Sequence, residues 1–159
     1  MKIDRTDREI LALLTKNARI SNKALADRVG LAPSSCHERV LKLRARGVLR
    51  GFHAEVDPAL LGVGLQAMVA IRLRQHSRDS VDAFRAAVLE RAEVVALYHV
   101  TGADDFLVHV AARDADHLRE ITLSAFTEQP EVAHIETRLI FEHARRWELA
   151  IPPQAGPAD

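Results

Sequence analysis

A chain of 159 residues, 48% hydrophobic and 28% charged, has the length and apolar material for one ordinary globular domain or two small ones. Its single cysteine excludes an internal disulfide framework and a cysteine-based zinc cluster, and no apolar run approaches the ~18–20 residues of a membrane span. Net charge is zero but unevenly placed: residues 1–50 hold 12 Lys+Arg against 5 Asp+Glu, and residues 51–159 hold 10 against 17. A basic module joined to an acidic one is expected when only the first meets a polyanion. The start, MKIDRTDREI, is charged and has no apolar signal core, so a cytoplasmic protein with no membrane partner is expected.

Asp4 to Lys16 reads as an amphipathic helix, with Ile10, Leu11, Leu13 and Leu14 on a broad apolar face. Asp4 or Thr6 can cap it, and Asp7 and Glu9 suit the positive end of its dipole. From Ser21 to Arg46 two short helices are joined by a tight turn. Ser21 can cap the first, Leu25 and Val29 share an apolar face, and Gly30 gives the permissive backbone a sharp turn needs. Leu31 would plug the gap between the helices, and Pro33 suits the first turn of the second. Cys36, Val40 and Leu43 then recur at i, i+4, i+7 as a buried stripe, and Gly47 is placed to cap the end. The opposite face offers Ser34, Ser35, His37, Glu38, Arg39 and Lys42, with Arg44 and Arg46 beyond. Short polar groups followed by cations suit a recognition helix whose first residues reach base edges while later ones meet phosphate. A solvated helical hairpin is the bland alternative.

Val48 to Val56 alternates in part and reads as a strand, a small wing ending at Asp57-Pro58, where Arg50 and His53 could touch phosphate. Leu65 to Leu73 reads as a strand and Ser80 to Glu90 as a helix with Val81, Phe84, Val88 and Leu89 on one side. Val94 to Thr101 and Phe106 to Ala111 are expected as strands around a turn at Gly102 to Asp104. Asp114 to Phe126 is expected as a helix with Leu118, Ile121, Leu123 and Ala125 mostly inward, and Val132 to Phe141 as a last strand. The order β-α-β-β-α-β is the ferredoxin-like pattern, making the chain α+β. The expected domains are a winged helix-turn-helix over 1–50, a linking strand and hinge over 51–64, a ferredoxin-like domain over 65–150 and a loose tail over 151–159. A sheet with both helices on one face leaves the other uncovered, and a second copy of the domain is the expected cover, so a homodimer at least.

With these elements placed, the chain resembles the Lrp/AsnC (feast/famine) family of bacterial and archaeal transcription regulators over all but its tail. The matching residues are Asp4-Arg5-x-Asp7-x-x-Ile10-Leu11, Ala18-Arg19-Ile20-Ser21-Asn22, Leu25-Ala26-x-Arg28-Val29-Gly30-Leu31 and Cys36-x-Glu38-Arg39-Val40-x-x-Leu43. Gly47-Val48-Leu49 follows, and the second domain adds Val100-Thr101-Gly102-x-x-Asp105-Phe106-Leu107. The resemblance implies a regulator of double-stranded DNA whose dimers often assemble to octamers and whose effector is usually an amino acid, bound near dimer–dimer contacts. The candidate DNA contacts are Asn22, Ser34, Ser35, His37, Glu38, Arg39, Lys42 and Arg46. The matching effector loop is Thr101-Gly102-Ala103-Asp104-Asp105, where a glycine lets amides approach a carboxylate and an aspartate can pair an ammonium. A plain hairpin turn uses the same residues. His99, Arg138 and Leu139 match positions that shape the pocket in the family. One departure is Ala32 where the family usually has a capping serine, an absence Ser34 could offset by a shifted helix start.

Other chemistry is weaker. The eight histidines include His99, His109, His134 and His143 in or near strands, but no metal-ligand spacing joins them, and no cofactor is expected. Cys36 lies on the buried stripe with no resolving partner. The rival class is an enzyme: sirohaem decarboxylases resemble these regulators in fold, but have no need of a basic recognition face. A third reading is a ligand-binding or assembly protein whose helix-turn-helix serves only packing.

Overall fold

The computed structural model describes residues 3–145, which form two compact units, one made of the chain up to Glu55 together with the residues from Ala144, the other spanning Val56–His143. The first contains three helices: α1 (Arg5–Lys16), α2 (Asn22–Val29) and α3 (Pro33–Ala45). Asp4 caps α1 in a capping box, its carboxylate accepting from the Asp7 N–H while Asp7 accepts from the Asp4 N–H. Ser21 Oγ accepts from the Ala24 N–H to start α2, and Gly30, at φ +66°, ends it in the left-handed conformation that favours glycine. Ile10, Leu14, Leu25, Ala26, Cys36 and Leu43 are buried together, with Leu31 and Val40 partly buried against them. Three short helices each too small to bury a face alone thus share one core.

Two details differ from expectation. Helix α3 begins after Ala32 with no side-chain cap, so the start does not shift to Ser34. Pro33 lacks an N–H and needs no partner there, which lowers the cost of the missing cap. The expected strand at 48–56 is not formed: no regular element occurs until the short 3-10 turn Pro58–Leu61. A strand needs a ladder partner, and the four strands of the sheet pair only with one another.

In the second unit β1 (Leu65–Leu73), α4 (Arg78–Leu89), β2 (Val94–His99), β3 (Phe106–Ala112), α5 (Ala115–Ile121) and β4 (Val132–Ile140) follow in the expected order. The sheet is antiparallel with strand order β2-β3-β1-β4. Ala67, Val69, Ile71 and Leu73 of β1 and Phe106, Val108, Val110 and Ala112 of β3 alternate onto one face. There they pack with Phe84 and Val88 of α4 and Leu118 and Ile121 of α5. Helix α5 continues into a π-helical turn, Thr122–Thr127, which buries Phe126 and turns Leu123 outward. Leu123, Leu89 and Phe141, all expected to join the inward pattern, are exposed. Leu89 ends α4, and Phe141 lies past the last ladder pair, where alternation no longer fixes a side chain to a face. The tail expected over 151–159, and the end of the expected domain from 146, lie outside the described residues.

Candidate functional sites

The first candidate site is the outer face of α3. Ser34, Ser35, His37, Glu38, Lys42 and Arg46 are all exposed along it. Lys42 Nζ lies 2.6 Å from Glu38 Oε1, one turn away, and this ammonium holds the Glu38 carboxyl below its ordinary pKa. An exposed pair of this kind is weakly bound and easily exchanged for a phosphate. Asn22, half-buried, donates from Nδ2 to the Pro33 carbonyl at 2.8 Å, lacing the first turn of α2 to that of α3. Part of its hydrogen-bonding capacity is therefore structural.

Arg39, expected to meet phosphate, is ion-paired within the chain. Its Nη1 donates to Asp4 Oδ2 at 2.6 Å and to Asp7 Oδ1 at 2.8 Å, both on α1 or its cap. The Asp7 side chain is 4% exposed, so the guanidinium is the counter-charge of a buried carboxylate. The Asp7 N–H, and after it Arg39, hold the Asp4 carboxyl below its ordinary range. The capping spacing of Asp4 and Asp7 is visible in the sequence. Their link to a residue more than thirty positions away is not, because only tertiary packing makes it.

The second candidate site is the turn between β2 and β3. Thr101 and Gly102 are exposed, Gly102 has φ +124°, and Asp104 and Asp105 are half-buried. Asp105 is engaged within the chain: Oδ2 accepts from the Leu73 N–H at 2.7 Å and Oδ1 lies 2.9 Å from His76 Nε2. His99 ends β2, just before this loop. It lies opposite Phe106, on the helix-covered face, and its exposed ring stacks on Phe106 at 4.7 Å. Arg138 and Leu139 lie on β4 and, being adjacent, point to opposite faces. Arg138 is exposed and donates twice to Glu136, at 3.0 and 2.6 Å. Strands β2 and β4 are the two edges of the sheet, about 14 Å apart at ~4.8 Å per strand. One chain therefore brings Thr101, Gly102, Asp104 and Asp105 together, and does not bring Arg138 or Leu139 to them.

The face of the sheet away from the helices carries one feature the sequence does not reveal. Ala96, His109, Met68 and Arg138 form a row across the four strands. His109 is 6% exposed and its Nε2–H donates to Gln66 Oε1 at 2.7 Å. Burial, and then the nearby His143, lower its pKa below the ordinary 6.5.

Family models match both units: a winged helix-turn-helix DNA-binding model over residues 3–50 and the Lrp/AsnC ligand binding domain over residues 66–146. The chain belongs to the Lrp/AsnC family. Among its relatives is the HTH-type transcriptional regulator AldR of Mycolicibacterium smegmatis, 46% identical over 143 residues, covering 90% of this chain and 84% of that one. The crystal structure of MtbAldR shares 40% identity at a TM-score of 0.78, covering 90% of this chain and 97% of that one. The transcriptional regulator NMB0573 of Neisseria meningitidis, solved as an L-Met complex, shares 27% identity at a TM-score of 0.83, covering 95% and 97%. This Lrp/AsnC protein is thus a DNA-binding transcriptional regulator and not an enzyme, and the decarboxylase alternative finds no support among these relatives. Among the described residues, no helix is long and apolar enough to cross a membrane.

Proposed function

We propose that this regulator binds a small amino acid at the Thr101–Asp105 loop, and that binding changes its assembly and hence its hold on DNA. The observation that carries the reading is the solved L-Met complex of a relative with the same fold along nearly its whole length. The loop chemistry agrees with it: exposed amides around Gly102 suit a carboxylate, and Asp104 suits an ammonium. Residues 1–50 read DNA, 51–64 act as the hinge, and 65–150 bind effector and partner copies. Asn22, Ser34, Ser35, His37 and Glu38 contribute to base readout, and Lys42 and Arg46 meet phosphate. A second copy covers the open sheet face, and further assembly toward an octamer brings Arg138 and Leu139 of one copy, with His99 at the margin, to the loop of another. Arg138 is suited to this, since its exposed pair with Glu136 costs little to exchange for a ligand carboxylate. The cytoplasm is its place of work.

The test is binding of the full chain to its own upstream DNA, titrated against salt, with and without each of the common amino acids. Tight, salt-steep, sequence-selective binding that one amino acid alters by fivefold or more, ~1 kcal/mol of coupling, is expected. Selective binding that no amino acid changes would remove the effector reading and leave the DNA reading intact.

A further inference from the structure

Arg39 shares its side of α3 with Ser35, Lys42 and Arg46, at spacings of four, three and seven residues. These four line an open cleft whose other wall is Asp4 and Asp7 at the start of α1. The cationic character of that side suggests three phosphate ligands in a row, but Arg39 is held by two carboxylates at the start of another helix. Its guanidinium nitrogen Nη1 reaches the cap residue and the third residue of α1 at once. Leaving them for a phosphate would strand Asp7, a nearly buried carboxylate, with its charge uncompensated. It would also present two bare carboxylates to a polyanion.

We propose that Arg39 is a positioning residue for DNA recognition: clamped by Asp4 and Asp7, it fixes the middle of α3 to the start of α1, and it contacts no phosphate. The clamp acts where positioning is most needed. Helix α3 has no side-chain cap at its first turn, which carries Ser34 and Ser35, with His37 just after it. Its other tethers are the buried Cys36 and Leu43, the partly buried Val40 beside them, and the Asn22 hydrogen bond to the Pro33 carbonyl. The ion pair adds a charged tether on the flank of the helix, which resists rotation about its axis. Asp4 and Asp7 therefore serve recognition although they are acidic and lie beside the basic face.

This predicts a result of opposite sign to simple electrostatics. The full chain is titrated, over a range of salt, with a duplex selected from random-sequence DNA for tight binding and with a scrambled duplex of the same length. Asp4→Asn is the decisive variant, because asparagine caps a helix as well as aspartate and only the charge on the clamp is lost. It should weaken the selected duplex about fivefold, the equivalent of one exposed charged pair, and leave the scrambled one unchanged. Asp7→Asn and Arg39→Ala should each cost about thirtyfold on the selected duplex, as expected for breaking a largely buried pair, with an unchanged salt slope. The double variant should be no worse than either single one, since both break the same contact. If Asp4→Asn tightens or does not alter binding, the clamp does not position the helix and the proposal fails; if Arg39→Ala lowers the salt slope by about one, Arg39 is a phosphate ligand and the proposal fails as well. Should Asp7→Asn or Arg39→Ala unfold, shown by circular dichroism, the Asp4→Asn titration alone decides between the two roles.

Discussion

His109 is an imidazole held where most sheets would place a hydrocarbon. It is buried, donates to Gln66, and lies 5.7 Å ring to ring from His143. Burial first, and His143 second, disfavour its charged form in the folded chain. In the unfolded chain the same ring takes up a proton near its ordinary 6.5. Between the two values the unfolded state binds more protons, so stability is full above pH 6.5 and falls as the pH drops through the lowered folded value. Urea unfolding at pH 7.5 and pH 5 should show this loss, and His109→Gln, neutral at both, should make the drop smaller. An identical drop in the variant would place the acid sensitivity elsewhere.

Helix α3 carries the reading face but starts less securely than its neighbours. Asp4 and Ser21 cap α1 and α2 through their side chains, while Ala32 offers α3 nothing. Its backbone, at φ −65° and ψ 144°, already has the extended conformation of a capping residue. Ala32→Ser should therefore stabilise the first unit by about 1 kcal/mol, read as a higher urea midpoint at unchanged slope. No gain would mean that a serine hydroxyl here fails to reach the N–H groups of the first turn. The elements themselves are largely readable, because periodicity and caps are local: Ser21, Gly30 and Pro33 bound helices where the sequence places them. Pattern without a partner is what misleads. Val48 to Val56 alternates like a strand, yet alternation cannot create the ladder a strand requires. Leu123 fits a helical repeat of 3.6, but the wider π turn after Ile121 moves it off the buried side. Nothing local in the sequence marks where a helix widens.

For the whole molecule, the sequence shows which residues belong to a candidate site but not how they are distributed. Gly102 to Asp105 is contiguous and so can be named as a unit. The ferredoxin-like succession carries the strand order that puts β2 and β4 at opposite edges, but motif matching along the chain does not measure the distance between them. Arg39 invites a phosphate role for a related reason: its charge is visible in the sequence, whereas its carboxylate partners are fixed only by folding. The edge placement has a genetic consequence if each effector site takes its loop from one copy and its arginine from another. A chain altered at Asp104→Ala and a chain altered at Arg138→Ala are each unresponsive alone. Refolded together in equal amounts, they assemble at random, and about a quarter of the sites combine an intact loop with an intact arginine. Two defective alleles should then complement one another, and a partial effector response in the mixture, absent from both parents, is the expected outcome. A mixture as silent as its parents would mean that each chain builds its site alone.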